Sequence, residues 1–363
     1  MQKKVWIEVV YTILLFALIS FSHAVPTPAK AGTGPILVHK GYLPGYYPCE
    51  ATTANLNGEA RNFVLILHEG CMDIYRIDAD SLAFFKDLHL NLIPGRHGAE
   101  ILDQAWTVGD LNNNGRDEFI VSKGTSLALY ELKGDKFGVS NYELPLPADQ
   151  IAAGDINNDG KDELVLFCHE GTSSGDWRVT SHHIYIMHLT DKGLSLLWKD
   201  EGRAGYRLYR AMPPDKFSCI ADILNKGTSQ LVISRAQSDV SPTTYELFEW
   251  NGSGLTKTFT FKIANGTLIK GGQSGEMLYV SGPIKPVLID GETSFLASVF
   301  DKSRSLRIYT VKIEGDKLAT FEPLFKAEPS STVGCIDLKG GQKGLIYINP
   351  RPGKKTQYRI FKL

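Results

Sequence analysis

The sequence lacks the features that would assign it at once to a common functional class. Its 39 basic and 40 acidic residues nearly cancel, so no basic excess points to nucleic acid or an anionic membrane surface as a ligand. It contains no Walker loop, dinucleotide fingerprint or HExxH motif. No catalytic residue is therefore assigned from motifs, and the function must be inferred from other patterns.

The chain also lacks an apolar run long enough to cross a membrane. The N-terminal run from Val9 to Phe21 has 13 residues, fewer than the roughly 20 that a spanning helix needs. Two lysines precede it and a small-x-small tripeptide follows it, which is the layout of a signal peptide over residues 1–24. An uncleaved anchor, extended backwards through residues 5–7, stays the alternative. We expect a secreted, periplasmic or cell-surface protein with no transmembrane span after cleavage.

Cysteine is scarce, and its spacing is uninformative. The five cysteines include no CxxC pair, which argues against a zinc or dithiol redox motif. Export permits disulfides, but an odd count leaves at least one thiol unpaired within the chain. A domain of this length can bury a sufficient core without disulfides. We therefore expect mostly buried, isolated thiols rather than a disulfide framework.

What the sequence does contain is a series of short apolar runs. After a linker rich in proline, glycine and small residues at 25–35, runs of four to eight residues rich in Val, Ile, Tyr and Phe alternate with Gly, Asn, Asp and Lys. This is the strand-and-turn pattern of an all-β protein, and it continues through residues 36–363.

One twelve-residue segment occurs almost twice, as DLNNNGRDEFIV at 110–121 and DINNDGKDELVL at 155–166. Weaker echoes bring the number of marker positions to six: Asn55, Asp110, Asp155, Asp222, Asp290 and Asp337. The markers lie 45 to 68 residues apart, and most are followed by a turn, a strand, a short turn and a second strand. A period that holds about four strands is the size of a propeller blade, and blades must stack around an axis to bury their faces.

The sequence therefore predicts a β-propeller of six or seven blades, with seven preferred. Six markers are visible, and a seventh blade could lie in residues 265–281. The last marker leaves only 27 residues before the C-terminus, so residues 36–54 are expected to complete the final sheet. Joining the two chain ends in one blade would remove exposed sheet edges.

The duplicated segment also carries a candidate cation site. Oxygen-bearing side chains occupy positions 1, 3 and 5, glycine occupies position 6, a backbone carbonyl is available at position 7, and glutamate occupies position 9. Ca²⁺ accepts six to eight oxygen ligands at about 2.3–2.6 Å. We predict two structural calcium sites, formed by Asp110, Asn112, Asn114, Arg116 and Glu118, and by Asp155, Asn157, Asp159, Lys161 and Glu163.

The sequence of these loops allows two other interpretations to be weighed against calcium binding. An EF-hand would place a bidentate glutamate at position 12, where Val121 and Leu166 stand, so that interpretation fails. An Asx-rich turn that binds no metal stays open. The turns at Asn55, Asp222 and Asp337 are predicted to be metal-free.

The pattern resembles the FG-GAP or VCBS repeat of integrin-α-like β-propellers, in which DxNxDGxxD caps a β-hairpin. The resemblance implies a calcium-bound turn within a blade, with Glu118 and Glu163 in place of the usual aspartate at position 9. It covers most of residues 36–363, although only the two repeats at 110–121 and 155–166 match well.

His-Glu-Gly also occurs twice, at residues 68–70 and 169–171. It could form a paired acid–base or metal site, but an echo of the repeat that closes a strand with a turn is favoured. The resulting functional hypothesis is a non-catalytic binding or scaffolding module for protein or glycan outside the cytoplasm. The alternatives are an enzyme that acts on extracellular polysaccharide at the central channel, and a structural part of an envelope assembly.

Overall fold

A computed structural model of the protein describes sixteen stretches of the chain: residues 35–46, 49–68, 70–78, 81–90, 104–173, 178–204, 215–235, 243–263, 279–280, 285–289, 292–300, 306–314, 317–327, 331–339, 341–351 and 353–363. The signal-peptide prediction for residues 1–24 and most of the predicted linker lie outside them. The chain divides into two units, Met1–Ile36 and Leu37–Leu363, and the second contains the fold.

The described residues form β-strands that assemble into six antiparallel sheets. The first strand, β1 (Ile36–Leu43), pairs with the last strand of the chain and belongs to blade 6. Blade 1 contains β2 (Cys49–Ala54), β3 (Phe63–His68), β4 (Cys71–Asp78) and β5 (Ser81–His89). Blade 2 contains β6 (Gln104–Gly109), β7 (Glu118–Lys123), β8 (Ser126–Lys133) and β9 (Lys136–Glu143).

The next two blades follow the same order. Blade 3 contains β10 (Ala148–Gly154), β11 (Glu163–Ser173), β12 (Arg178–Thr190) and β13 (Gly193–Lys199), with β14 (Arg203–Ala204) added to β12. Blade 4 contains β15 (Asp215–Ala221), β16 (Gln230–Arg235), β17 (Thr243–Trp250) and β18 (Leu255–Ile263).

The last two blades complete the ring. In blade 5, β19 (Tyr279–Val280) and β20 (Lys285–Ile289) both pair with β21 (Glu292–Phe300), which is followed by β22 (Leu306–Glu314) and β23 (Lys317–Ala327). Blade 6 contains β24 (Thr332–Asp337), β25 (Lys343–Asn349), β26 (Thr356–Lys362) and, on its outer edge, β1.

The two ends of the chain close the ring in blade 6, as the sequence predicted. The segment that does so is shorter than expected, because only β1 of residues 36–54 joins the last sheet and β2 instead begins blade 1. The reason is the repeat itself: each described marker stands at the end of the first strand of its own blade or directly after it, so the strand before Asn55 must belong to the blade of Asn55.

The core lies in the seams between blades. Six hydrophobic clusters each combine residues of two neighbouring blades, so that every seam of a six-membered ring is filled. Leu65 of blade 1 meets Phe119 of blade 2, and Ile346 of blade 6 meets Val64 of blade 1. The second strand of each blade is covered on both faces, which explains why its sequence is a continuous apolar run rather than an alternating one.

The described residues thus form six blades, the smaller of the two numbers that the sequence allowed. The sequence suggested that a seventh blade could lie in residues 265–281. Of these residues only Tyr279 and Val280 are described, and they pair with β21 of blade 5. Within the described part of the chain there is no helix with the length and hydrophobicity that a membrane crossing requires.

Candidate functional site

The two acidic loops connect the first and second strands of their blades. β6 ends at Gly109 and β7 begins at Glu118, so the 110–118 loop is the connection inside blade 2. The 155–163 loop makes the same connection in blade 3. Because every blade runs in the same direction from its first strand, these connections all lie at one end of the ring.

In the 110–118 loop, the side-chain oxygens fold back on the backbone of the turn. The Asp110 carboxylate accepts hydrogen bonds from the backbone N–H of Asn114 at 2.9 Å and of Gly115 at 2.7 Å. Asn112 Oδ1 accepts a second bond from Asn114 N at 3.0 Å, and Asn114 Oδ1 accepts one from Arg116 N at 2.9 Å. Alternate oxygens therefore line the inside of one tight turn.

The 155–163 loop repeats this geometry bond for bond. The Asp155 carboxylate accepts from Asp159 N and Gly160 N, each at 3.0 Å. Asn157 Oδ1 accepts from Asp159 N at 2.8 Å, and Asp159 Oδ1 accepts from Lys161 N at 2.9 Å. The sequence duplication is therefore also a structural duplication.

The glutamate at position 9 closes the first loop from inside the blade. Glu118 is 1% exposed and accepts hydrogen bonds from Leu111 N at 2.9 Å and from Asn112 Nδ2 at 2.6 Å. Burial raises the pKa of Glu118 to about 8, and the nearby charge of Asp110 adds to the effect. A carboxylate in this position is costly to ionise unless positive charge is supplied.

Glu163 plays the same part in the second loop. It is 1% exposed and accepts from Ile156 N at 3.1 Å and from Asn157 Nδ2 at 3.0 Å. Burial raises the pKa of Glu163 to about 7, with the charge of Asp159 as the next contribution.

The second loop has the donor chemistry that a hard cation requires. The Asn157 amide nitrogen lies 3.1 Å from Asp159 Oδ2 and 3.0 Å from Glu163 Oε1, so its N–H groups stand between two carboxylates. Three carboxylates, an amide oxygen and a backbone carbonyl are ligands that Ca²⁺ accepts. Among the described residues, however, no three His, Cys, Asp or Glu side chains already converge as a metal centre, and calcium stays a prediction.

A third loop adopts the same turn without the full donor set. In the 222–230 loop, the Asp222 carboxylate accepts from Lys226 N at 2.8 Å and from Gly227 N at 2.7 Å. Gln230 takes the place of the glutamate and accepts from Leu224 N at 3.0 Å. The ammonium of Lys226 lies 3.7 Å from Glu249. Hydrogen bonds from the backbone to the Asp222 and Gln230 side chains can therefore define this turn without the full set of carboxylates, which makes the third loop a reference for the other two.

The remaining markers differ more. Asn57 Oδ1 accepts from Glu59 N at 3.2 Å in the turn after Asn55, and Asp337 pairs with Lys343. The marker Asp290 lies outside the described residues.

Sequence reasoning missed the aspartates at position 8. Asp117 Oδ2 accepts a hydrogen bond at 2.7 Å from Asn55 N, in the preceding blade. Asp162 Oδ2 accepts one at 2.9 Å from Asp110 N, again in the preceding blade. The signal was present, because both copies carry aspartate at this position, but the partner lies 52 or 62 residues away and no local pattern reveals it.

Other polar groups link the loops at further seams. Asn158 Oδ1 accepts from Ser229 N at 3.0 Å, Asn225 Oδ1 accepts from Thr293 N at 2.7 Å, and Asp337 Oδ2 accepts from Arg61 N at 2.9 Å. Together with the two position-8 aspartates, these bonds connect neighbouring blades at five of the six seams within the described part of the chain. Hydrogen bonds between blades therefore hold most of the loop end of the propeller in place.

A cavity of about 220 Å³ opens beside the first strands of blades 4, 5 and 6. Its lining includes Arg61, Asp337 and Lys343 together with apolar groups such as Val287. Lys343 pairs with Asp337, and Arg61 lies 3.4 Å from Asp117. The charged groups of this cavity thus already have ion-pair partners, although Asp117 itself is not part of the lining.

Comparison with known families agrees with the repeat seen in the sequence. Residues 110–166 match the FG-GAP-like repeat. The chain carries an FG-GAP-like repeat on a β-propeller. Among curated proteins, none matches the sequence significantly.

Two solved structures are similar to this chain. A triple arginine-to-alanine mutant of AofleA from Arthrobotrys oligospora has a TM-score of 0.50 and 10% identity, over 92% of this chain and 88% of that one. A rhamnogalacturonan lyase from Bacillus licheniformis has a TM-score of 0.34 and 14% identity, over 91% and 74%. At 10% identity, the similarity to the AofleA mutant shows only a shared fold.

Proposed function

We propose that this FG-GAP propeller is an exported, non-catalytic binding or scaffolding protein whose loop end recognises a protein or a glycan. The observation that carries the proposal is the set of hydrogen bonds that connect neighbouring blades at the loop end. A surface that is ordered before binding loses little conformational entropy when a partner arrives, so it suits recognition.

Calcium is the second part of the proposal. The ion would be held in blade 2 by Asp110, Asn112, Asn114, the Arg116 carbonyl and Glu118, and in blade 3 by the matching residues of the 155–163 loop. It would supply the positive charge that the two buried glutamates lack, and its role would be structural. The 155–163 loop has three carboxylates against two in the 110–118 loop, so it should bind more tightly.

Thermal unfolding with and without chelator tests the calcium sites. Calcium at about 100 times its Kd would stabilise the native state by about 2.7 kcal/mol per site, so the melting temperature should fall by several degrees in EDTA. Asp159→Asn should reduce this response, because it removes one ligand charge while keeping the turn's acceptor.

Asp222→Asn is the matched control, since it changes the same kind of turn in the loop that carries Lys226. It should leave the calcium response intact. A wild-type melting temperature that is equal in calcium and in EDTA would leave the Asx-turn interpretation standing.

Binding without cleavage is the expected behaviour toward extracellular polysaccharides. The immobilised protein should retain a glycan from a polysaccharide panel, and no new reducing ends should form. Lys161→Glu, at the loop end, should weaken retention, whereas Lys123→Glu, at the opposite end of β7, should not. Release of reducing ends would instead support the enzyme alternative, and absence of retention would remove glycan as the partner.

A further inference from the structure

A thiol, an imidazole and a carboxylate meet on blade 1, away from the acidic loops. Cys71 opens β4 and is paired in register with His89, the last residue of β5. Side chains that are directly opposed in an antiparallel pair lie on the same face of the sheet. Here Cys71 Sγ lies 3.1 Å from His89 Nδ1, within hydrogen-bonding distance.

The second nitrogen of the same imidazole faces a carboxylate. Asp87 precedes His89 by two residues, so it occupies the same face of β5. Its Oδ2 lies 3.5 Å from His89 Nε2. The order is therefore thiol, imidazole, carboxylate, which is the order of groups in which a carboxylate can orient an imidazole that serves as base for a thiol.

The backbone holds this arrangement in place although it is open to solvent. Leu90 N donates to the carbonyl of Gly70 at 2.8 Å, which fixes the end of β5 beside the turn between β3 and β4. His89 is 78% exposed and Asp87 50% exposed, and Cys71 is half-buried. A small molecule can therefore reach the sulfur.

Two other thiols lie in different surroundings. Cys168 is buried, and burial raises the pKa of its thiol to about 12, so it stays protonated and inaccessible. Cys335 donates to the carbonyl of Pro286 at 3.2 Å, at the cavity beside blades 5 and 6. Both residues provide internal references for the reactivity of Cys71.

We propose that Cys71 is a nucleophilic thiol that undergoes exchange with small-molecule disulfides, with His89 as its base and Asp87 as a positioning residue. The Cys71 proton passes to His89 Nδ1, and the resulting thiolate attacks one sulfur of the disulfide. The S–S bond of the small molecule breaks, a mixed disulfide with Cys71 forms, and the leaving thiolate takes up the proton. One disulfide is consumed and one is formed, so no further oxidant is needed.

The product is expected to be a stable modification rather than an intermediate in turnover. Cys49, His68, Cys71 and His89 form one row across the four strands of blade 1. Cys49 is two strands from Cys71, about 10 Å at the usual strand spacing. That separation exceeds the roughly 7 Å between Cα atoms that a disulfide tolerates, so Cys49 cannot resolve the adduct without backbone movement.

The test uses the full chain and oxidised glutathione at pH 7, followed by intact mass and peptide mapping. One glutathione adduct should form first on Cys71. Cys71→Ser should abolish it, while Cys335→Ser and Cys49→Ser should keep it. His89→Gln should slow the reaction at least about tenfold at pH 7, because the general base is lost. The deficit should shrink at pH 9, where hydroxide can deprotonate an ordinary thiol.

Asp87→Asn should slow the reaction less than His89→Gln, and Asp87→Glu should restore part of the rate. Thermal unfolding of each variant checks that the exposed substitutions leave the fold intact. A first adduct on another cysteine, or a His89→Gln rate equal to that of the wild type, would overturn the proposal. Its outcome is independent of the binding test, because no glycan enters the assay.

Discussion

Replacing Gly109 with alanine should destabilise the propeller by about 3 kcal/mol, at the upper end of the usual cost of overpacking. Gly109 is the last residue of β6, directly before the marker Asp110. A Cβ atom built there would lie 2.4 Å from the Cβ of Ala153, on β10 of the next blade, and 3.0 Å from Asp162 Oδ2. The Ala153 methyl group is fixed to its backbone, so relief requires the first strands of blades 2 and 3 to move apart.

Gly154→Ala should behave similarly in the next seam. Its new Cβ would lie 2.8 Å from Ile220 Cβ, on β15. Gly134→Ala is the matched control, because Gly134 has φ +65° and nothing within 4 Å of the added Cβ. That substitution should cost only about 1 kcal/mol, from backbone strain alone.

Equilibrium unfolding in urea measures all three glycine variants. The interpretation requires Gly109→Ala and Gly154→Ala to be clearly less stable than Gly134→Ala. If the three variants lost similar stability, close approach of the first strands would not be the reason for glycine before the marker.

The close approach of the first strands of neighbouring blades separates the features that a single sequence can predict from those that it cannot. The strands were visible because apolar runs and turn residues are local signals. The markers fall where predicted, since Asp110 and Asp155 directly follow the first strands of their blades. The tandem Gly-Asp in both copies was equally visible, but its meaning depends on a residue of the next blade, Ala153 for Gly109 and Ile220 for Gly154, which lies 44 or 66 residues further along the chain.

The contacts that bring polar groups together could not be predicted for the same reason. Asp162 acts on Asp110 across a seam, and Cys71 reaches His89 only through the register of β4 and β5. A shift of register by one residue would turn each such side chain to the other face. Sequence patterns specify which face of a strand is apolar, but they do not specify which distant residue stands opposite.

The two His-Glu-Gly segments show a second limit of predicting structure from a sequence repeat. The first closes β3 at His68, as the echo interpretation expected. The second does not close a strand, because β11 continues to Ser173 and His169 pairs with His182 on β12. His68 and His169 therefore lie at similar positions along the second strands of their blades. The second strand of blade 3 is longer than that of blade 1, so His169 lies within a strand whereas His68 ends one.

Asp162→Ala should cost about 2 kcal/mol, because the backbone N–H of Asp110 loses its acceptor at the seam between blades 2 and 3. Asp162→Asn keeps an oxygen for that N–H and removes a charge from a half-buried position, so it should be much milder. The comparison separates the hydrogen bond from the charge. Asp135→Asn, at an exposed turn, is the control, because the blade 1 contact of Asp135 is made by its backbone carbonyl, which accepts from Lys86 Nζ at 3.1 Å and is kept in the variant.

The Asp162→Asn variant also allows a prediction of how its stability relative to the wild type changes with pH. Burial raises the pKa of Asp162 from 3.8 to about 6, against the opposing effect of the Asp110 hydrogen bond. Between about pH 4 and pH 6 the native state binds a proton that the unfolded state does not, so this group's contribution favours folding as the pH falls. Above pH 6 the native state holds a buried charge instead, which the asparagine variant does not have.

The stability of Asp162→Asn relative to the wild type should therefore be higher at pH 8 than at pH 5, by about 1 kcal/mol, since pH 5 lies one unit below the raised pKa. Urea unfolding at both pH values, in EDTA so that calcium does not alter the loops, measures the difference. Asp135→Asn should show no such change. An Asp162→Asn variant whose relative stability is the same at both pH values would mean that Asp162 is not held as a buried acid at the seam.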